Sequence, residues 1–318
     1  MSGALLAETA TPSFARHETF HPRFGWLRKA VEQATSDPTV FGREDAPVTL
    51  GVGKNMVIAM RYWGLAFKVL QTAPNPDRPR VPLFEPTAFG RSLLGDQGWD
   101  PWLEDPGSLW LLHWALLQPT CTAPVWWVAF HDFSPQQFVE SQLTTQVLEL
   151  AAAAGWNSVL PASVRKDVDC LLRTYTMRQH GRSGLDDLLD CPFRELGLLE
   201  VAPGGGAYRF VEGAKPTLPD EIIAYAALRY AAEAGDGARS MSIARLCHDP
   251  GGPGGAFRLP ERALHDALRR VAEGVDALKV TEPGGLRQLL IDGDPGELAD
   301  HLLVRYYQET TVNRKVPA

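Results

Sequence analysis

The sequence predicts a mainly α-helical fold with small β-hairpins, built from a helix-turn-helix and tandem winged-helix-like units. Apolar residues recur at alternating four- and three-residue steps from Met56 to Leu70, which is the stripe of a helix packed on a core. Two β-rich runs around a glycine turn follow predicted helices from Leu198, and a similar order recurs near the C-terminal end. A hairpin placed after helices is typical of a winged helix.

The N-terminal elements come first in this assignment. Phe24–Ala34 has helical spacing, and Ser36-Asp37-Pro38 ends it. The turn and second helix of a helix-turn-helix follow over Val48–Leu70, and Pro74–Pro82 is a Pro-rich linker. We therefore assign residues 14–80 to an N-terminal helix-turn-helix DNA-binding unit.

A central helical, winged-helix-like domain is predicted over residues 83–213. It starts with the acidic, Trp-rich block Leu83–Leu117, in which short helices are held together by indole packing. Val125–Phe133 is β-rich and predicts a strand, whereas Gln136–Ala154 and Ala162–Arg178 predict helices.

A C-terminal winged-helix-like domain is predicted over residues 214–318. Helices are expected at Asp220–Glu233, Ser242–His248 and Pro260–Glu273, followed by a hairpin around Glu282-Pro283-Gly284-Gly285. Winged helices also serve as protein–protein modules, so DNA contact and protein contact both stay open for this domain.

Composition excludes several classes of protein. The 318 residues are 45% hydrophobic, enough for two or three packed units, and the longest apolar runs are too short to cross a bilayer. The N-terminus lacks the features of a secretory signal, and the four cysteines form no CxxC pair, so they predict small buried hydrophobes. We expect a cytoplasmic protein with a disordered leader at residues 1–13.

Charge is distributed unevenly along the chain. The formal net charge is −7, yet residues 14–80 carry ten Lys and Arg against six Asp and Glu, and residues 161–182 carry five against two. An acidic protein with a local basic surface still binds DNA. The predicted DNA-binding side chains are Arg16, Arg23, Lys29, Lys54, Asn55, Arg61, Lys68, Arg165, Lys166 and Arg173.

The helix within Val48–Leu70 has two faces of different character. Lys54, Arg61 and Lys68 recur every seven residues and so share a face away from the apolar stripe. Asn55 lies at the N-terminal end, where recognition helices meet base edges. The alternative is a solvated cationic face on an ordinary core helix.

Several motifs together carry a family resemblance. The strings RHETFHPRFGWLRK, LGVGKNMVIAMRYW, GWDPWLEDPGSLWLLHW and DCPFRELGLLE, followed by YRF, run from Phe14 to beyond Phe210. This combination resembles the SspB family of bacterial single-strand DNA phosphorothioation systems, a domain-of-unknown-function family. The resemblance implies a protein that binds and nicks double-stranded DNA beside a cysteine desulfurase, an ATPase and a reductase-like sulfur-transfer enzyme.

The catalytic residues of such a nickase are not defined by any standard nuclease signature in the sequence. A nicking reaction needs a general base or metal-activated water, for which Mg²⁺ or Mn²⁺ is expected, without a nucleotide or organic cofactor. Candidate catalytic residues are His17, Glu18, Asp167 and Asp169. Candidate metal ligands are the acids Asp167, Asp169, Asp186, Asp187 and Asp190, although acids in such runs are usually solvated or cap helices.

The pattern His17-Glu18-Thr19-Phe20-His21 also matches the HExxH motif of zinc peptidases. That motif requires a continuous helix, and Pro22 pushes the residue before it out of the helical region. We therefore interpret this segment as a nucleic-acid element whose aromatic residues anchor it to the core. The alternative is an arm held by the same aromatic residues and carrying ordinary surface cations.

Two functional hypotheses remain open at this point. The first is a metal-dependent nicking endonuclease that reads a short DNA site. The second is a non-catalytic adaptor that binds DNA and recruits the sulfur-transfer and ATPase partners, with the acidic Leu83–Leu117 block as a possible partner surface. A transcriptional regulator is a weaker third idea, because the sequence shows no clear ligand pocket or dimer interface.

Overall fold

Helices and small antiparallel sheets make up the described chain, which confirms the predicted fold class. The computed structural model describes residues 3–177, 190–235 and 239–315. The contacts divide the chain into one unit of Met1–Ala129 with Phe133–Phe210 and another of Phe130–Asp132 with Val211–Ala318. Residues 14–80 and most of residues 83–213, which the sequence assigns to two domains, lie in the first unit, whereas residues 130–132 and 211–213 belong to the second.

The N-terminal segment corrects the prediction of a disordered leader. Helix α1 spans Gly3–Thr9, and Leu6 is fully buried. A Cβ atom on Gly3 would lie 2.2 Å from the backbone of Ala153, so the two segments pack closely there. Burial of Leu6 and this contact order a segment whose composition alone indicates no structure.

The helices expected of the predicted helix-turn-helix are present. Helix α2 spans Trp26–Ser36, α3 spans Ala46–Leu50 and α4 spans Lys54–Ala66. Gly51, in the turn between α3 and α4, has a φ of 62°, a left-handed conformation that glycine adopts without steric cost.

Helix α4 is shorter than the sequence predicts. Met60 and Trp63 are fully buried, as expected of the apolar stripe, but Met56 is only half-buried. The helix ends at Ala66 because Lys68 adopts a left-handed φ of 57°. Lys68 therefore lies beyond the helix, and its predicted place on a common face with Lys54 and Arg61 is wrong.

The Pro-rich segment Pro74–Pro82 is the loop of a hairpin. Strand β1 (Leu70–Ala73) pairs antiparallel with β2 (Leu83–Pro86) on either side of it. Helix α5 (Ala88–Leu94) and helix α6 (Pro106–Leu117) follow. Trp110 and Trp114 of α6 are buried, which agrees with the predicted indole packing.

Val125–Phe133 was predicted as a strand, and this prediction is wrong. Helix α7 spans Pro124–His131, and Val125 to Phe130 are all buried. A short run that is apolar on every side suits a buried helix as well as a buried strand, so periodicity does not distinguish them.

The first unit ends in helices and a three-stranded sheet. Strand β3 (Gln137–Phe138), α8 (Glu140–Ala153) and α9 (Pro161–Tyr175) precede β4 (Leu199–Val201) and β5 (Tyr208–Phe210). The sheet order is β3-β5-β4, so the predicted hairpin is confirmed and gains a strand that the sequence did not predict. The 3₁₀ helix Pro192–Leu196 lies between α9 and β4.

The second unit repeats this topology. Its elements are α10 (Asp220–Glu233), β6 (Ser240–Ser242), α11 (Ile243–His248), α12 (Pro253–Phe257), α13 (Glu261–Ala272), β7 (Leu278–Thr281), β8 (Gln288–Ile291) and α14 (Pro295–Lys315). The sheet order is β6-β8-β7, so in both units the strand before the helices pairs with the last strand.

Two expectations about chemistry and environment are tested by the described residues. Cys121, Cys170, Cys191 and Cys247 are all free and buried, as predicted. Across residues 3–177, 190–235 and 239–315, no helix combines the length and apolar character needed to cross a bilayer.

Candidate functional site

The segment of residues 14–25, called the N-terminal arm below, is held on α9 by one buried carboxylate. The Ala15 backbone N–H donates to Asp167 Oδ1 over 2.8 Å. His17 Nε2 lies 2.7 Å from the same oxygen, and His17 is completely buried. Burial raises the pKa of Asp167, while the hydrogen bonds from His17 and Ala15 oppose this shift. The Asp167 carboxylate therefore serves as the hydrogen-bond acceptor that holds the arm on α9.

Two further hydrogen bonds attach the arm to its neighbours. Arg173 Nη2 on α9 donates to the Thr19 carbonyl over 2.7 Å. Trp63 Nε1 on α4 donates to the Phe20 carbonyl over 2.9 Å. The arm thus connects α4 and α9 through its own backbone.

These contacts hold a strained backbone. Ala15, Glu18 and Thr19 have φ values of 55°, 48° and 67°, in the left-handed region that L residues avoid at a cost of about 1–2 kcal/mol each. Strain of this kind persists only where surrounding contacts fix the conformation. The Asp167 and Arg173 hydrogen bonds are those contacts.

Aromatic rings enclose the His17 imidazole. The ring of Trp63 stacks on it with centroids 5.7 Å apart and an interplanar angle of 17°. Tyr62 and Trp126 approach its other sides edge-on, at 5.8 and 6.1 Å. An imidazole closed in this way has no path to a scissile phosphate, so the geometry does not support the predicted catalytic role of His17.

A second buried histidine lies nearby in the arm. His21 Nε2 is 3.1 Å from Asp190 Oδ2, and Arg194 Nη2 is 3.2 Å from the same oxygen. Burial is the largest cause that lowers the pKa of His21 to about 4, with the Arg194 and Arg173 charges adding to it and Asp190 opposing it. His21 is therefore neutral at pH 7.

The HExxH segment does not form a metal site of the peptidase kind. Residues 17–21 are not helical, and His17 and His21 contact different acids, Asp167 and Asp190. Within residues 3–177, 190–235 and 239–315, no group of three or more His, Cys, Asp or Glu side chains has the arrangement of a metal site.

The remaining acidic candidates are placed separately. Asp169 is exposed and pairs with Arg173 over 2.8 Å on the same helix. Glu18 is half-buried on the arm and makes no hydrogen bond or ion pair among the described residues. Asp186 and Asp187 lie outside the described residues.

Five of the ten predicted DNA-binding side chains are engaged within the fold: Arg23, Lys29, Arg61, Lys68 and Arg173. The Lys68 ammonium donates to the Gln118 carbonyl over 2.9 Å and also to that of Thr120. The Arg61 guanidinium lies 5.4 Å from the Phe84 ring centroid, and burial lowers its pKa. These cationic side chains already make contacts within the fold, so they are less available to a ligand than exposed cations.

The other five are exposed, and their side chains make no hydrogen bond or ion pair in the part of the chain that the structure describes: Arg16, Lys54, Asn55, Arg165 and Lys166. Lys54 and Asn55 form the first turn of α4, called the α4 tip below. Arg16 and Lys166 are each adjacent in sequence to a residue of the buried Asp167 contact, and together with Arg165 they are called the arm–α9 patch below. The structure therefore leaves two cationic groups available.

Comparisons with known proteins show which family the chain belongs to. The family model described as a protein of unknown function, DUF4007, matches residues 14–307. The chain belongs to this family. A comparison with curated proteins finds no match.

Two solved structures are similar over nearly the whole chain. One is a crystal structure of SspB and the other a crystal structure of magnesium ion-bound SspB. Each is 45% identical, with a TM-score of 0.91, and covers 98% of this chain and 92% of its own. The family resemblance predicted from the motifs is confirmed, and the chain is SspB-like.

The sequence reasoning missed the residues that make the arm a fixed element. The sequence predicts Asp167 as a catalytic residue or metal ligand, and no pattern in it indicates Trp126 or Arg194. Only the apolar neighbours of Asp167, Val164, Val168 and Leu171, indicated that this position faces the core. The partner His17 lies 150 residues away, and no local pattern identifies it.

Two acids on α9 provide a matched test of this site. We expect Asp167→Ala to lower the free energy of unfolding by about 3–5 kcal/mol, because His17 and the Ala15 N–H lose a buried acceptor. Asp169→Ala removes an exposed ion pair two residues away and should cost less than about 1 kcal/mol. Urea unfolding of both variants measures the difference, and equal losses would contradict the structural role of Asp167.

His21 predicts a specific dependence of stability on pH. Its pKa is about 4 in the folded chain against 6.5 as a model value, so the unfolded chain binds more protons between these values. The free energy of unfolding should therefore fall on acidification through this window, by up to about 3 kcal/mol from His21 alone.

The variant His21→Asn isolates this contribution. We expect its unfolding free energy to fall less than that of the wild type between pH 7 and 4, because the titrating group is gone. Above pH 7 the two curves should run parallel. Urea unfolding at each pH measures both curves. Parallel curves over the whole pH range would contradict a lowered pKa of His21.

Proposed function

We propose that this chain is a DNA-binding component of a bacterial DNA phosphorothioation system. The observation that carries the proposal is the similarity to SspB over nearly the whole chain, at 45% identity. The exposed α4 tip and arm–α9 patch support it, since they leave unpaired donors on a chain of net charge −7. A cysteine desulfurase, an ATPase and a reductase-like sulfur-transfer enzyme are the proposed partners.

The two cationic groups suit different parts of a duplex. Asn55 presents an amide, which pairs with adenine, and Lys54 beside it is a donor for phosphate or guanine. Arg16, Arg165 and Lys166 offer charge without a base-reading amide and are assigned to phosphates. In both units a strand, helices and a hairpin follow one another and form one three-stranded sheet, and this order supports the interpretation as tandem winged-helix units.

Nicking is the activity that the resemblance implies, and one similar SspB structure is magnesium-bound. The residues described here do not fit a divalent metal held by several carboxylates. Asp167 is buried against His17, and Asp169 is paired with Arg173. The requirement for Mg²⁺ or Mn²⁺ therefore remains a prediction. Glu18 is the one catalytic candidate without a partner among the described residues.

A non-catalytic adaptor is the second candidate function. It is favoured by a specific observation: three of the four catalytic candidates, His17, Asp167 and Asp169, are engaged in structural contacts. An adaptor would hold DNA through the same two cationic groups and present other surfaces to the sulfur-transfer and ATPase partners.

Supercoiled plasmid distinguishes these two functions. If the chain nicks DNA, it should produce open circles with Mg²⁺ or Mn²⁺ and none with EDTA. Glu18→Gln should then lose this activity, whereas Glu149→Gln, an exposed acid on α8, should keep it. Salt-sensitive binding without open circles in either metal would contradict nicking and favour the adaptor.

The DNA-binding surface predicts how single variants respond to salt. Lys54→Ala and Arg165→Ala should each weaken binding on all sequences and reduce the slope of log K against log salt by about one. Lys279→Ala removes the same charge from the exposed face of β7 and serves as the control. Lys68→Ala should change stability rather than this slope, because its ammonium is bound to carbonyls.

Asn55 tests base reading separately. Asn55→Ala should relax sequence preference, with a loss of about 1–3 kcal/mol on the preferred site and little on others. Titrations against a panel of duplexes measure the difference. Equal weakening on every sequence would contradict the base-reading role.

A further inference from the structure

A cavity of about 570 Å³ opens between α8, α9 and the hairpin of β4 and β5. Its wall includes Ser141 and Thr145 from α8, Arg165 from α9 and Tyr208 from β5. The volume lies in the range of roughly 300–1,000 Å³ that is usual for small-ligand sites. These residues come from three separated segments, so no sequence motif marks the cavity.

Several polar groups in this wall are available to a ligand. The hydroxyls of Ser141 and Thr145 and the guanidinium of Arg165 are exposed and make no hydrogen bond in the described part of the chain. Thr144, one residue away, behaves differently, because its hydroxyl donates to the Glu140 carbonyl over 2.8 Å. The available groups are thus those that face the opening.

An aromatic ring and a carboxylate form the other side of the cavity. Tyr208 is the cross-strand neighbour of Phe138, and their ring centroids are 6.1 Å apart. Burial, followed by the Glu140 and Asp169 charges and a hydrogen bond with the Glu140 side chain, raises the pKa of Tyr208, so its phenol stays protonated. The cavity therefore has a neutral aromatic surface, an acceptor at Glu140 and a cation at Arg165.

We propose that this cavity binds the base of one unpaired nucleotide of DNA, with Tyr208 stacking on the base and Arg165 contacting the adjacent phosphate. The inference rests on the proposed DNA-binding function and deepens it. Proteins hold unpaired strands by this combination of a stacking ring and a flanking cation.

Glu140 fixes the orientation and the class of base. Its carboxylate repels phosphate, so the sugar–phosphate must leave the cavity on the side of Arg165. A carboxylate also accepts a hydrogen bond from an exocyclic amino group, such as those of adenine and cytosine. An acidic peptide could neutralise Arg165, but it would meet the Glu140 charge in the same cavity, so the observations favour a base.

The test compares three duplexes of one sequence. One is fully paired, one carries a single extrahelical adenine, and one carries an abasic site in place of that adenine. The full-length chain should bind the adenine duplex about tenfold more tightly than the abasic duplex, because a stacked base contributes this much. Tyr208→Ala should abolish this preference and Tyr208→Phe should retain it.

Two further variants keep the test decisive. Trp102→Ala removes an exposed aromatic ring elsewhere in the same unit and should keep the tenfold preference. Thr145→Val replaces an exposed hydroxyl in the wall and should reduce the preference roughly threefold, even if Tyr208→Ala proves unstable in thermal melts.

The outcomes separate the cavity from the proposed function. Equal affinity of the wild type for the adenine and abasic duplexes, with binding to the paired duplex, overturns the cavity alone. Absence of binding to all three duplexes overturns both the cavity and the DNA-binding function. A preference that survives Tyr208→Ala overturns the stacking role and with it the proposal.

Discussion

The buried contact between the N-terminal arm and Asp167 is the constraint on which the first unit depends. One carboxylate oxygen receives both the Ala15 N–H and the His17 ring, and it offsets the left-handed backbone at Ala15. Without this acceptor the arm would keep its strain and lose its anchor, and α4 and α9 would lose the segment that connects them.

The contacts of each side chain divide residues of one chemical type into two roles. Lys68 and Lys54 are both lysines of the predicted DNA-binding row, yet the Lys68 ammonium binds two carbonyls whereas the Lys54 ammonium reaches solvent. Arg173 and Arg165 are two turns apart on α9, and only Arg173 is bonded to the arm. The positive charge of a segment is therefore a weaker indicator of DNA contact than the intramolecular partners of each cationic side chain.

Local patterns predicted the elements whose signals are local, and they failed where tertiary contacts decide. The glycine turns identified both hairpins, and the apolar stripe identified α4 through Met60 and Trp63. The run from Val125 to Phe130 is apolar on every side, so its helix was read as a strand. The buried acid at Asp167 and the cavity beside Tyr208 depend on partners far along the chain, and no local spacing encodes them.

The buried contact also bears on where chemistry can occur in an SspB-like chain. A general base must meet its proton within hydrogen-bond reach of an accessible substrate, and His17 is closed off by Trp63, Tyr62 and Trp126. The Arg-His-Glu-Thr-Phe motif therefore acts by positioning: it presents Arg16 and Glu18 outward while His17 faces inward.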